Sequence, residues 1–172
     1  MDRGAQISIR RAHEADAETI AHIVNAAWRV AYRGIVPQGY LNMLEDIPRA
    51  NRLAEGLRKT ADLRYYLLEE GGVPVGAASL HSTHDKDLTD TAEFTFFYFL
   101  PRVWRRGYGT KLLDHLKREA SEQGFDRLCC WVLEENTRAI AFYESQNLLR
   151  DGRRQTVTIE IPLEVVRCIT TL

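Results

Sequence analysis

The segment Trp104-Arg105-Arg106-Gly107-Tyr108-Gly109-Thr110 carries the residue types that bind an anion. It follows an apolar run that stops at Pro101 and leads into Leu112, Leu113, Leu116 and Ala120, which recur at helical spacing. A strand, then basic residues, then Gly-x-Gly at a helix start offers unpaired backbone N–H groups together with the positive end of the helix dipole. A pyrophosphate suits such a site. Glycine at 107 and 109 lets phosphate oxygens reach the backbone, and Arg105 and Arg106 add charge at the rim. Spacing excludes two nucleotide motifs: the dinucleotide fingerprint needs a third glycine where Leu112 stands, and a P-loop needs four residues between its glycines and then Lys-Ser/Thr. The plain alternative is an ordinary turn beside solvated arginines.

The elements that would position this loop follow from periodicity. Ile7 to Arg10 reads as a short strand, and Ile20, Ile23, Val24, Ala27, Trp28 and Ala31 then mark one face of a helix that starts near Asp16 and ends at Gly34. Ile35 to Thr60 reads as a loop followed by one or two helical pieces, with Pro48 in a first turn. Tyr65 to Glu69 and Val73 to Leu80 form an antiparallel hairpin about Gly71-Gly72, and His81 to Asp90 is a polar connection. Glu93 to Leu100 has no alternation, which predicts one central strand buried on both faces. The helix after the glycine loop is capped near Gly124; Leu128 to Leu133 is the next buried strand. Asn136 caps a short helix bearing Ala139, Ile140 and Tyr143, Asn147 ends it, and Thr156 to Ile161 is a closing strand. The expected class is α/β with a mixed, mostly antiparallel sheet flanked by helices, in one domain spanning 1–172.

Composition narrows the ligand. The 172 residues are 45% hydrophobic and 27% charged with a formal net charge of -1, so nothing in bulk attracts nucleic acid or an anionic membrane. Local donors must do any anion binding, which points to a small ligand. Three cysteines, two of them adjacent at Cys129 and Cys130 in an apolar run, suit a reducing compartment and small apolar filling. Met1 to Arg10 lacks the apolar core of a signal peptide, and no run approaches a membrane span, so the expected location is the cytoplasm. His81, His84, Asp85, Asp87 and Asp90 have no fixed ligand spacing and are expected to be solvated, with no metal.

Taken in order, Ile9-Arg10-Arg11-Ala12, the Glu93 to Leu100 strand with Pro101, the glycine loop, and Asn136-Thr137-Arg138-Ala139-Ile140-Ala141-Phe142-Tyr143 resemble the GNAT superfamily of acetyl-coenzyme A-dependent N-acetyltransferases. Trp104 and Arg105 depart from that family's loop motif, which begins with Arg or Gln, and Gln146-Asn147-Leu148 replaces its frequent Leu-Gly-Phe. The resemblance implies a GNAT acyl-CoA N-acyltransferase fold with splayed central strands and acetyl-CoA as cofactor. The cofactor would lie on Phe97, Tyr98 and Phe99, on Arg105, Arg106, Gly107, Tyr108, Gly109 and Thr110, and on Asn136, Ala139, Phe142 and Tyr143.

Roles follow from the same resemblance. Phe99 N–H would stabilise the oxyanion, an arrangement whose loss elsewhere costs about 3 kcal/mol. An alkylammonium with a pKa near 10 is only about one part in a thousand neutral at pH 7, so a base is useful. Glu93 matches the strand position of the family's proton acceptor, or is a strand-edge glutamate paired with a cation. Tyr143 resembles the donor to the departing thiolate, or is a core tyrosine. Trp28 and Tyr32, four apart, with Tyr40 in the next loop, would line an acceptor wall or pack the core. The acceptor would be a small-molecule or peptide amine, with no nucleic acid and no membrane as partner; a homodimer stays open. The rival classes are a non-catalytic acyl-CoA sensor and, more remotely, a nucleic-acid module at Arg102, Arg105 and Arg106.

Overall fold

The computed structural model describes residues 5–172, so the first four residues of the Met1 to Arg10 stretch lie outside it. The described residues form eight strands and five α-helices, and the strands join one sheet in the order β1-β2-β3-β4-β6-β8-β7, with β5 attached to β3 alone. The strands are β1 (Ile7–Arg11), β2 (Arg64–Glu70), β3 (Val73–Ser82), β4 (Thr91–Glu93), β5 (Phe97–Phe99), β6 (Arg127–Leu133), β7 (Leu149–Ile159) and β8 (Ile161–Thr171). Every pairing is antiparallel except β4 with β6.

The β2–β3 hairpin turns at Gly71-Gly72, as turn chemistry predicts, and Glu70 faces Val73. Two expectations fail. Glu93 to Leu100 is not one strand: β4 begins at Thr91 and stops at Glu93, and the chain leaves β6 before resuming as β5. Its aromatic density reflects ring packing around a cleft rather than burial on both sheet faces, for Phe97 and Tyr98 stay partly exposed. The closing strand is the second error. Thr156 to Ile161 lies inside a hairpin of two 11-residue strands, β7 and β8, whose turn is at Glu160. β7 is exposed from Leu149 to Thr156 and carries no apolar side chain between Arg150 and Thr156, so hydropathy alone does not mark that stretch.

Helices cover both faces. On one, α4 (Tyr108–Glu122) and α5 (Thr137–Ser145) bury Leu112, Leu113, Leu116, Ile140 and Tyr143 against Phe94, Cys130 and Val166. On the other, α1 (Ala17–Ala31) lays Ile20, Ile23 and Val24 on Tyr65, Leu67 and Ala77. Short α2 (Gln38–Asn42) and α3 (Asp46–Lys59) complete that layer, with Pro48 in the first turn of α3. Asn147 takes the left-handed backbone at φ 64°, as its place after α5 predicts. All three cysteines are free and buried, and burial pushes the Cys129 thiol up to about 12. No described helix is long and apolar enough to cross a membrane.

Candidate active site

The break between β4 and β5 creates the site. Phe94 N–H still donates to Cys129 O of β6 at 3.1 Å, but three residues later the chain pairs only with β3. Ser79 holds the bulge between them. Its hydroxyl accepts Thr95 N–H at 2.8 Å and Phe96 N–H at 3.1 Å, and with both lone pairs so used it donates to Thr95 Oγ1 at 2.9 Å. Ser79 is fully buried, so without these bonds two amide hydrogens would lack an acceptor.

The register then fixes which backbone groups stay free. Ser79 N–H donates to Phe96 O, and Leu100 N–H donates to Val75 O. Alternation along an antiparallel ladder therefore turns Phe97 and Phe99 N–H away from β3, toward the side where β6 has splayed off. Phe99 O on that side accepts the Trp104 indole N–H at 2.9 Å. A cleft of about 370 Å³ opens between β5 and β6, walled on one side by Cys130, Trp131 and Val132 and on the other by Phe97, Tyr98 and Phe99.

The glycine loop closes one end of this cleft. Gly107 is the N-cap of α4 at φ 78°, a left-handed backbone that glycine adopts without strain, and no side chain caps the helix. The first amides of α4 are thus free and face the cleft lined by Gly107, Tyr108, Gly109 and Thr110. Gly109 differs: a Cβ there would sit 3.0 Å from the Phe142 ring of α5, so that ring would have to give way by a few tenths of an ångström. Arg105 also sits at positive φ, 63°, an uncommon state for a non-glycine residue.

Arg105 and Arg138 are the cations of the cleft. Arg138 lies 3.8 Å from the Trp104 ring centroid, and burial together with Arg105 lowers its pKa, as expected where two guanidinium groups converge without a carboxylate. Trp104 therefore has a structural task where the family motif has Arg or Gln: it pins Phe99 O and carries Arg138 on its face. Arg138 stands within the downstream motif, and the sequence carries no expectation of a role for it. Its signal was its position two residues after the N-cap Asn136, whose Oδ1 accepts Ala139 N–H at 3.3 Å.

Arg106 points elsewhere. It pairs with Glu70 at the end of β2, stacks 5.0 Å from the Tyr108 ring, and Tyr108 O–H donates to the same carboxylate at 2.8 Å. Arg102 also approaches Glu70, at 3.8 Å, so two of the three arginines of the basic cluster have a counter-ion.

The N-cap Asn136 and Ala139, Phe142 and Tyr143 of α5 line the cleft with Phe97 and Phe99. Tyr143 is buried, its hydroxyl makes no hydrogen bond among the described residues, and burial holds its pKa well above the ordinary tyrosine value. On the α1 side, Tyr32 lines the cleft and shares a 2.6 Å hydrogen bond between its hydroxyl and that of Tyr98. Trp28 meets Tyr32 edge-on at 4.8 Å and lies 6.4 Å from Tyr40, so Trp28 and Tyr40 form a second layer behind Tyr32.

Glu93 lies outside the lining of the cleft. It is buried and accepts the Thr83 hydroxyl at 2.7 Å, opposite His81 in the β3–β4 pair. The neighbouring carboxylates are not free in solvent, contrary to the sequence expectation. Arg167, 3% exposed, binds Asp85 at 2.9 Å, Asp87 at 2.9 Å and Asp151 at 2.7 Å, and Trp131 N–H donates to Asp85 at 3.0 Å. This network ties the 83–90 loop to β6, β7 and β8. His81 is buried in β3 and stacks on His84, with ring centroids 5.4 Å apart.

Comparison with known proteins agrees with this geometry. The model of the acetyltransferase (GNAT) family matches residues 14–147. An uncharacterized N-acetyltransferase of Bacillus subtilis, YuaI, is 28% identical over 141 residues, covering 81% of this chain and 78% of the relative. Among solved structures, PaiA N-acetyltransferase from Thermoplasma acidophilum, in complex with coenzyme A, superposes with a TM-score of 0.75 at 16% identity, covering 97% of this chain and 99% of the other. YncA from Salmonella typhimurium, with its cofactor acetyl-CoA, gives 0.72 at 22% identity, covering 98% and 95%. A split central strand, a free helix N-terminus beyond it and a family match over most of the length agree: the chain belongs to the GNAT acetyltransferase family.

Proposed function

We propose that the protein moves an acetyl group from acetyl-CoA to a primary amine of a small molecule or peptide by direct transfer. The observation that carries this reading is the unpaired outer edge of β5, which runs into a cleft ending at the uncapped N-terminus of α4. Phosphates suit the free amides from Gly107 to Thr110 with Arg105 and Arg138 beside them, and an extended amide-bearing arm suits the free edge at Phe97 and Phe99. Acetyl-CoA supplies the electrophilic acyl carbon.

The chain's own groups do the rest. Phe99 N–H, directed away from β3, donates to the oxygen on which charge develops. Tyr143 keeps its proton throughout the working pH range because burial disfavours the phenolate, and it delivers that proton to the leaving sulfur. Glu93 accepts the proton of the amine through water, since its carboxylate stands outside the cleft lining. Tyr32 and Tyr98 form the wall on which the acceptor rests, with Trp28 and Tyr40 behind.

Titration calorimetry with acetyl-CoA and an amine panel followed by free thiol release test this reading. We expect micromolar to submillimolar binding and turnover of at least one amine. No binding at millimolar acetyl-CoA removes the proposal. A second reading, a non-catalytic acyl-CoA sensor, draws on the withdrawn position of Glu93. Binding without thiol release on any amine selects it.

A further inference from the structure

Cys130 of β6 and Cys168 of β8 stand directly opposite each other in an antiparallel pair. Both are free thiols, 1% and 0% exposed, and both lie in the core that α4 and α5 cover. The ladder fixes their spacing. Glu134 N–H donates to Glu164 O beyond one end of the pairing, and Leu172 N–H donates to Asp126 O beyond the other, each at 2.9 Å. Alternation counted from either end makes Cys130 and Cys168 a hydrogen-bonded pair. The Cα atoms of such a pair lie about 5.5 Å apart, which is within the span of a disulfide. Cys129 points to the other face of the sheet and has Ile169 across from it, so it has no cysteine partner.

The pair belongs to the wall of the site. Cys130 lines the cleft beside Trp131 and Val132, and it packs in the same core as Tyr143. Opposite residues of a ladder hold their Cβ atoms about 4.5–5.5 Å apart, the larger value in hydrogen-bonded pairs, whereas a disulfide needs about 3.5–4.5 Å. Closing the bond therefore draws β6 toward β8 by about 1 Å. β6 is the strand that faces β5 across the cleft, so the same movement shifts a wall of the site. The two thiols also differ in readiness. Burial holds the Cys130 thiol well above its ordinary value, while the Cys130 S–H, donating to the sulfur beside it, draws Cys168 below its own. Cys168 is thus the more readily ionised of the two and suits the second, displacing step.

We infer that hydrogen peroxide converts Cys130 and Cys168 into a reversible disulfide that shifts the β6 wall of the cleft and weakens acetyl-CoA binding. Cys130 Sγ takes one peroxide oxygen as the O–O bond breaks, which leaves a sulfenic acid and releases water. Cys168 Sγ then attacks the Cys130 sulfur, the S–O bond breaks, and the oxygen departs as a second water. The thiol pair gives up two electrons and two protons, and the peroxide is reduced to water. A dithiol reductant reverses the bond by thiol–disulfide exchange. The inference concerns the cofactor cleft and is independent of which amine is acetylated.

The test treats the full chain with hydrogen peroxide, removes the oxidant, and reads intact mass, a tryptic map without reductant, and acetyl-CoA affinity by calorimetry. We expect the mass to fall by two hydrogen atoms and the map to join the peptide 128–138 to the peptide 168–172. Cys129→Ala should form the same link, which assigns it to Cys130. Acetyl-CoA should bind about tenfold more weakly to the linked protein, and dithiothreitol should restore the affinity. Cys168→Ala, folded by its melting temperature, should keep its affinity through the same treatment. Thiols that stay reduced, or that pass to sulfinic acid without a link, overturn the inference. So does a link that disappears in Cys129→Ala, or a linked protein that binds acetyl-CoA as tightly as the reduced one. Equal loss of affinity in peroxide-treated Cys168→Ala assigns the effect to other oxidised residues and also overturns it.

Discussion

Gly76 and Phe99 face one another across β3 and β5, and the Phe99 ring occupies the space that a Cβ on residue 76 would need, with two ring carbons 2.4 Å from that position. The ring lies flat on the neighbouring strand because that strand has no side chain there. Phe99 N–H, the proposed oxyanion donor, is set by the same contact. Gly76→Ala must therefore move Phe99, a case of overpacking that costs about 1–3 kcal/mol. Urea unfolding should show a lower midpoint, and turnover should fall more than acetyl-CoA affinity. An unchanged midpoint with full activity would mean that the strands adjust freely.

Tyr143→Phe removes a hydroxyl that no other described residue engages, so the fold should tolerate it. If the hydroxyl delivers a proton in the transition state, kcat falls by about 100-fold while acetyl-CoA affinity stays within about twofold. Steady-state kinetics and calorimetry measure the two separately. Equal kcat in the variant would leave Tyr143 as a core aromatic beside Phe94 and Phe97.

Ser79→Ala leaves two amide hydrogens, those of Thr95 and Phe96, without their acceptor. The loss should be about 1–3 kcal/mol in chemical denaturation. Hydrogen exchange should accelerate at Thr95 and Phe96 and stay unchanged in α4. Protection that survives the substitution would show that the β4–β5 break needs no side-chain support.

Arg167 holds Asp87 down to about 2, from an ordinary value of 3.8, through hydrogen bonds to its carboxylate. Because the folded value is the lower one, the ionised form is favoured by folding. The contribution is complete above about pH 4 and is lost as pH falls through about 2. The melting-temperature gap between wild type and Asp87→Asn should therefore be largest above pH 4 and close as the pH is taken toward 2. A gap that stays constant over that range would separate Asp87 from the Arg167 network.

Some of this molecule was legible from local sequence alone. Helix faces such as Ile20, Ile23 and Val24, the Gly71-Gly72 turn, the Asn136 cap and the glycine loop are set by short-range periodicity and backbone preference, which act within a few residues. The loop motif with its downstream helix likewise carried the family resemblance. The β7–β8 hairpin was missed because an exposed polar strand owes its existence to the partner it pairs with, not to its own pattern.

Tertiary structure decided the rest, because each remaining question concerns residues far apart in the chain. Whether Glu93 to Leu100 is one strand or two depends on Ser79, fourteen residues or more away, holding the bulge. Whether an arginine meets a phosphate or a glutamate depends on what lies opposite: Glu70 takes Arg106, while Arg138 is brought from α5 onto Trp104. The aspartates of the 83–90 loop looked solvated until β8 delivered Arg167 among them.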